Sequence, residues 1–319
     1  MTKLERIILT RTPIAFLVKK SKHWYLPGFE GVPLYDVVKF FRQQIRTVGI
    51  SERASAISFN FIMALPPAFL FLFTLIPNLP FIKRGEILKQ LTFLIKDIIP
   101  GEAYNKDIIA FINKIINGNH FDMISIGFLL ALFFASSAMM GLMRSFNKNY
   151  IGFEKRKGLH NRWIAIKLTA YIFGLVLGCL IVLFTQGIVL KWLGIRNAEV
   201  RNFIYYIRWL FIVVLIFYSI AFIYRYAPAV TKRWKLNSPG TILATSLSII
   251  ATLGFSTFVN HYGNYSVLYG AVGTVIMLMA LIYINSLVLL VGFELNVSIK
   301  SLQHIAAERD AKEGLAKPL

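Results

Sequence analysis

Glu294 and Asn296 are the residues best suited to chemistry in the last third of the chain. They lie in the stretch LLVGFELNVSIK, which follows residues 236–293, a segment without Asp, Glu, Lys or Arg. A carboxylate and an amide beside so long an apolar run could take up a proton, pair with a cation or join two helices. Glu294 therefore lies either inside a membrane or at the place where a helix leaves it.

A proline pair provides a second candidate site. Pro66 and Pro67 lie within MALPPAFLF, where two missing backbone donors predict a kink or break of a helix. Broken helices near the bilayer midplane are a recurring feature of transporter binding sites, and a packing kink without a ligand is the alternative. Asn60 lies upstream, where interhelical hydrogen bonding explains it as readily as substrate contact does.

Basic residues near the ends of the apolar stretches complete the candidate substrate-binding set. Arg53 precedes the proline stretch, and LMRSFNKNY holds Arg144, Asn147 and Tyr150. Guanidinium groups suit a phosphate or carboxylate, although anchoring of the helices explains them too. Arg208 lies within an apolar stretch, where its charge must be paired or must reach the interface. These five residues, with Asn60 and the proline pair, form the predicted substrate-binding set.

The sequence does not indicate an enzyme. Its five histidines show no spacing typical of a metal site: His23, His120, His160, His261 and His304. Cys179 is the only cysteine, which leaves no disulfide framework and no thiolate metal site. A phosphate-binding lysine loop and a GxSxG motif are also absent from the sequence. We therefore predict no catalytic residue, no metal and no cofactor.

Long apolar segments must position these residues. The chain of 319 residues is 56% hydrophobic and 16% charged, against about 25% charged in soluble domains. About 20 apolar helical residues cross a bilayer core of roughly 30 Å. The fold class that this predicts is an all-α integral membrane protein with six transmembrane helices. Their approximate bounds are 54–76, 123–143, 164–186, 203–224, 241–260 and 270–293.

The charge distribution predicts the orientation. A formal net charge of +20 would suit a nucleic acid, an acidic partner or a membrane surface. Most lysines and arginines, however, fall in segments that six spans place on one side: 1–53, 144–163, 225–240 and 297–319. The positive-inside rule then predicts that both termini are cytoplasmic. Because this topology accounts for the charge, we predict membrane lipids as partners and no nucleic acid.

The segments outside the six-helix domain, 54–296, are expected to be amphipathic or polar. In the cytoplasmic tail 1–53, LYDVVKFFRQQIRTV predicts an amphipathic helix, either at the lipid interface or packed on the bundle. The insertion 77–122 is predicted to place two amphipathic helices on the outer face. The cytoplasmic tail 297–319 is polar and is expected to be frayed. Small-residue pairs that favour helix packing and oligomerisation occur in two spans: Gly174 with Gly178, and Gly270 with Gly273.

Local signals also bear on the ends of the last two spans. Ser238 is expected to cap the fifth span, which then begins at Pro239. A carboxylate near a helix C-terminus is disfavoured by the helix dipole. We therefore expect Glu294 to pair with a cation, and Asn296 to cap or cross-link the same corner. The cations available are Arg53, Arg144 and Lys167. The predicted latch or gate comprises Glu294, Asn296, Tyr269, Gly270 and Gly273.

Four stretches resemble the YihY/BrkB membrane proteins, sometimes labelled ribonuclease BN. They are RASAISFNFIMALPPAFLFL, SAMMGLMRSFNKNY, YRYAPAVTKRWKLNSPGTILAT and YGAVGTVIMLMALIYINSLVLLVGFELN. The residues on family positions are Pro67, Asn147, Tyr150, Pro228, Glu294 and Asn296; the departures are Ala64, Pro66 and Phe293. The resemblance implies a six-span protein of the bacterial inner membrane, linked to the envelope and its lipids, without a secure activity. With no nuclease constellation in this sequence, the ribonuclease label reads as a misassignment.

Two functions from different classes follow from these observations. The leading hypothesis is a transporter-like protein that handles an amphipathic anionic envelope lipid in a cavity bounded by spans one, two and six. The alternative is a membrane scaffold or regulator of envelope biogenesis, whose small-residue faces bind partner helices. Ribonuclease activity is not expected.

Overall fold

The computed structural model describes residues 20–75, 121–147, 158–192, 198–230, 233–262 and 265–315, with single positions at 85, 88, 92, 109, 110 and 113. In these ranges the chain forms helices and no β-strand, which confirms the all-α prediction. The seven helices are α1 (Leu34–Thr47), α2 (Ile50–Leu75), α3 (Phe121–Phe146), α4 (Gly158–Trp192), α5 (Ala198–Tyr226), α6 (Pro239–Tyr262) and α7 (Tyr265–Leu315).

Helices α3 to α7 are each long and apolar enough to cross a membrane. The qualifying stretches are Gly127–Phe146, Gly158–Cys179, Trp209–Tyr226, Pro239–Val259 and Val275–Arg309. They overlap the second to sixth predicted spans. The first predicted span falls in α2, whose side chains are described as far as Ala68. The count of six spans and the orientation of the termini therefore stay predictions. Most of the insertion 77–122 lies outside the described residues.

The core forms where α2, α3 and α7 pack together. The contact between α2 and α3 is the most extensive of the helix pairs, and α6 packs along α7. Ile57 of α2, Leu142 and Phe146 of α3, and Leu290 and Phe293 of α7 have no exposed surface. These side chains recur at helical spacing, so each helix turns one apolar stripe toward the other two. The core thus lies where α2 begins and α3 ends.

Helix α2 continues through Pro66 and Pro67 without a break. Of the predicted kink or break, the break is therefore wrong, and the kink stays a prediction. Each proline removes its own backbone donor, and the helix nevertheless continues to Leu75. Pro66 is exposed and Pro67 is half-buried.

Helix α1 packs against the C-terminal part of α7. Val37 is fully buried, in a cluster with Phe29, Val32 and Ile299. This contact supports the interpretation of the amphipathic segment as a surface helix packed on the bundle. The tail also needs a correction, since α7 continues to Leu315 as one helix of 51 residues, and apolar contacts support its polar part as far as Leu302.

Candidate functional site

Arg53 and Glu294 form a buried ion pair. Arg53 Nη1 lies 2.6 Å from Glu294 Oε1, and the two side chains are 6% and 0% exposed. The second guanidinium nitrogen, Nη2, donates to the carbonyl of Ser145. One guanidinium group therefore joins α2, α3 and α7. The prediction that Glu294 pairs with a cation is confirmed, and Arg53 is that cation, since Arg144 and Lys167 are exposed.

Helical spacing brings the two charges to the interior. On α7, Leu290 and Val297 are buried one turn before and one turn after Glu294. On α2, Ile57 is buried one turn after Arg53. Residues three or four apart share a helix face, so both charged side chains point along the apolar stripes that form the core.

Three aromatic rings pack together in the core, and two of them are sequence neighbours of residues that take part in the ion-pair network. Phe146 and Phe293, which follow Ser145 and precede Glu294 in sequence, stack with centroids 3.9 Å apart and an interplanar angle of 3°. Tyr224 meets the two rings edge-on, with centroids 6.0 Å and 6.3 Å away. Burial of both charges lowers the local dielectric, which strengthens the attraction within the pair and raises the cost of separating it.

Asn296 connects α7 to the start of α6. Its Oδ1 accepts a hydrogen bond from Gly240 N at 2.8 Å, and its Nδ2 donates to Ser238 Oγ at 2.9 Å. Ser238 Oγ also accepts from Thr241 N at 3.3 Å, which is the predicted N-cap. The prediction that Asn296 cross-links this corner is confirmed.

Gly240 and Gly292 allow α6 and α7 to cross closely. A Cβ atom added at Gly292 would lie 2.6 Å from Gly240 O, from Ala244 Cβ and from Tyr224 Oη. Tyr224 Oη in turn donates to Leu289 O at 2.6 Å. This glycine pair was not predicted from the sequence. Glycines inside apolar helices were its only signal, and 52 residues separate the two in sequence.

The predicted latch does not come together as one site. Gly273 precedes Glu294 by 21 residues on the uninterrupted helix α7, which places it about 30 Å away. Tyr269 and Gly270 lie still earlier on α7, in a part whose side chains are not described. Of the five proposed latch residues, only Glu294 and Asn296 therefore share the corner. Gly273 lies too far along α7 to share that corner, and the roles proposed for Tyr269 and Gly270 stay predictions.

The predicted substrate-binding residues also do not come together in one site. Asn147 Oδ1 accepts from Ala229 N at 2.7 Å and so ties the end of α3 to the segment after α5. Asn60 Nδ2 donates to Ala56 O within α2 at 2.7 Å, and its side chain lies against Gly141 of α3. Arg144 is exposed. Hydrogen bonding within the bundle therefore accounts for both asparagines.

The prolines lie farther along α2, and two other members of the set cannot be placed from the described residues. Pro66 is 13 residues beyond Arg53 on α2, a distance of about 20 Å along the helix. Tyr150 lies outside the described residues, and so does the side chain of Arg208, whose backbone belongs to α5. The structure thus brings Arg53 and Asn147 to the same end of the bundle as Glu294, and does not bring the prolines there.

Two open cavities flank the polar half of α7. The first, of about 220 Å³, lies between α7, the start of α6 and the segment before α1. The second, of about 630 Å³, lies between α1 and the C-terminal part of α7. Arg53, Arg144 and Pro66 line neither of them. In the described part of the chain, no three His, Cys, Asp or Glu side chains gather as metal ligands.

These features define a polytopic α-helical membrane protein whose helices meet at a buried ion pair. The chain belongs to the BrkB family: the sequence profile described as "Virulence factor BrkB" matches residues 41–316. That range contains Arg53, Glu294 and Asn296 and all seven helices except the first residues of α1.

Several bacterial proteins resemble the chain over most of their length. A ribonuclease-like protein of Bacillus subtilis, YfkH, is 25% identical over 81% of this chain and 92% of its own. A UPF0761 membrane protein of Vibrio cholerae serotype O1 is 24% identical over 72% of this chain and 75% of its own. A UPF0761 membrane protein of Vibrio parahaemolyticus is 22% identical over 87% of each chain. No solved structure matches at a comparable level of significance.

Proposed function

We propose that this protein is a transporter-like protein of the bacterial inner membrane that handles an amphipathic anionic envelope lipid. The observation that carries the proposal is the Arg53–Glu294 ion pair, which is buried where α2, α3 and α7 meet. Charged side chains within a membrane bundle are expensive and commonly mark substrate or proton pathways. With both termini in the cytoplasm, the pair would lie toward the cytoplasmic ends of these helices.

In this proposal the ion pair closes a pathway between α2, α3 and α7. Opening separates Arg53 from Glu294, and the guanidinium then becomes available to the phosphate or carboxylate of the substrate. Substrate and Glu294 would compete for one cation, which couples binding to opening. The stacked rings of Phe146 and Phe293, 3.9 Å apart, would part in the same movement.

Reconstitution into liposomes tests the proposal. Purified protein is incorporated into vesicles with a fluorescent phosphatidylglycerol analogue, and the fraction accessible to an external quencher is followed over time. The proposal predicts faster transfer between leaflets than in protein-free vesicles, and a changed rate for Glu294→Gln. Gly254→Ala is a matched control, because a Cβ there meets no atom within 4 Å. If no anionic lipid is moved or bound, the proposal fails.

A scaffold or regulator of envelope biogenesis is the second candidate. The close packing around Phe146 and Phe293 favours it, and so do Gly174 and Gly178, which are exposed on α4 and leave room for a partner helix. Purification in mild detergent distinguishes the two functions. A scaffold predicts one stoichiometric partner that is lost with Gly174→Leu and retained when Arg53 is substituted, and a transporter predicts neither result.

The ribonuclease-like name of one relative is not carried over to this chain. Its sequence offers no nuclease constellation, and we propose that the protein is not an enzyme. Metal-dependent RNA cleavage that co-purifies with the protein through every step, and disappears with a single substitution in this chain, would contradict the proposal.

A further inference from the structure

The smaller cavity, of about 220 Å³, is lined by two lysines that have no part in the proposed transport role. Its walls come from three parts of the chain: the segment before α1, the segment leading into α6, and α7 beyond Glu294. Lys235 and Lys300 enter from the second and third of these parts, and Asn237 adds an amide. Lys235 is exposed and Lys300 is half-buried. Two lysines from separate elements thus line one open cavity, and Lys300 Nζ also donates to Gln303 Oε1 at 3.4 Å.

The charge of the walls favours an anion. Glu30 is the one carboxylate among the residues that line the cavity, against two lysines. Helix α6 begins at Pro239 on the cavity wall and adds the positive end of its dipole. Its first backbone N–H groups are already used, since Gly240 N bonds to Asn296 and Thr241 N to Ser238. The lysines therefore carry the attraction, and lysine is a common phosphate ligand.

The size and position of the cavity further limit the kind of ligand that it can hold. A volume of about 220 Å³ holds a phosphoryl group with a few bridging waters, each of which occupies about 30 Å³ in the liquid. It is too small for acyl chains. Pro239 is also the first residue of the membrane-crossing stretch Pro239–Val259, so the cavity lies at the level of the phospholipid headgroups.

We propose that this cavity binds a phosphoryl group, supplied either by the headgroup of an anionic phospholipid or by a soluble phosphate monoester. Ser238 and Asn296, which join α6 to α7, line the same cavity. A ligand held by Lys235 and Lys300 therefore strengthens the α6–α7 junction from outside. The proposal concerns equilibrium binding and is independent of whether the protein transports anything.

The experiment compares the two sources of phosphate on the intact chain. Native mass spectrometry in detergent counts retained phosphatidylglycerol, with phosphatidylcholine as the neutral control. Glycerol 3-phosphate and inorganic phosphate are titrated in parallel, with tryptophan fluorescence as the readout, since Trp234 lines the cavity. Trp234→Phe identifies the part of that signal which comes from the cavity.

Three variants test the assignment of residues. Lys235→Gln with Lys300→Gln should weaken binding at least about tenfold, because each lysine near a headgroup contributes about 1 kcal/mol. Glu30→Gln should tighten binding several-fold, since it removes the opposing charge. Lys39→Gln with Arg309→Gln is the matched control, because it removes two cations from the larger cavity and should leave binding unchanged.

Each result decides the proposal. Retention of phosphatidylglycerol without an effect of the soluble phosphates supports the lipid source, and binding of glycerol 3-phosphate supports the soluble one. No binding of either, or binding that the double lysine variant leaves unchanged, overturns the site. If that variant does not fold, two other variants still test the site. The double variant Lys235→Arg with Lys300→Arg must retain binding, and Glu30→Gln must improve it.

Discussion

Arg53 and Glu294 lie 241 residues apart in the chain, yet their side chains meet at 2.6 Å. The contact closes the bundle, because it links the first turn of α2 to the buried face of α7 and, through Ser145 O, to the end of α3. With no exposed surface on Glu294, the carboxylate depends on the guanidinium for its stabilisation.

Removing one member of this pair is expected to destabilise the protein strongly. Arg53→Ala removes the guanidinium partner of a buried carboxylate, and breaking such a pair typically costs about 3–5 kcal/mol. Glu294→Ala removes the carboxylate partner of the guanidinium, which keeps its hydrogen bond to Ser145 O. The thermal midpoint in detergent measures the effect. Arg144→Ala, on the exposed surface of α3, is the control and should change the midpoint little.

The exchanged pair separates a structural role from a functional one. Arg53→Glu combined with Glu294→Arg should recover a large part of the lost stability if the pair acts as a structural latch. Unchanged stability of Glu294→Gln together with lost lipid transfer would instead assign Glu294 to a substrate or proton site.

Gly292→Ala should separate α6 from α7. The new methyl group would meet Gly240 O, Ala244 Cβ and Tyr224 Oη at 2.6 Å, and relief of such overpacking typically costs about 1–3 kcal/mol. Gly254→Ala in α6 introduces the same methyl group into open space. A thermal midpoint equally insensitive to both substitutions would show that the crossing is looser than described here.

Asn296→Ala should weaken the same junction by a different route. It leaves Gly240 N and Ser238 Oγ without their amide partner, and a buried polar group left unsatisfied costs about 1–3 kcal/mol. Hydrogen exchange at the start of α6 should become faster. Asn237→Ala, in the exposed residue next to Ser238, is the control and should leave that exchange unchanged.

Asn147 is expected to act through one acceptor atom. Asn147→Ala removes the hydrogen bond from the buried Ala229 N and should cost about 1 kcal/mol or more. Asn147→Asp keeps an oxygen in the same place and should recover most of the stability. Equal losses for the two variants would indicate that the amide nitrogen, or the volume of the side chain, is what matters at the end of α3.

The sequence predicted those features that depend on neighbouring residues. Apolar length alone located α3 to α7, and the Ser238–Pro239 pair fixed the first residue of α6. The expectation that Glu294 needs a cation followed from its place after a long apolar run. Each of these signals depends on residues close together in one helix, so it can be recognised in the sequence without knowledge of the packing.

Contacts between segments far apart in the chain could not be predicted from the sequence. It offered three cations for Glu294, and only the packing of α2 against α7 selects Arg53. The Gly240–Gly292 crossing was missed for the same reason, because a close approach depends on a partner helix. The continuation of α7 beyond Glu294 was missed in part because contacts with Phe29 and Val32, more than 260 residues away in sequence, support it as far as Leu302.

The length of α7 has a mechanical consequence. Its 51 residues extend about 77 Å, more than twice the roughly 30 Å of a bilayer core. Glu294 lies between its apolar and polar parts, so the corner where Arg53 holds Glu294 would be the pivot if α7 moves as one rigid helix. A tilt of the polar part, on which α1 packs, would then move the membrane part in the opposite direction.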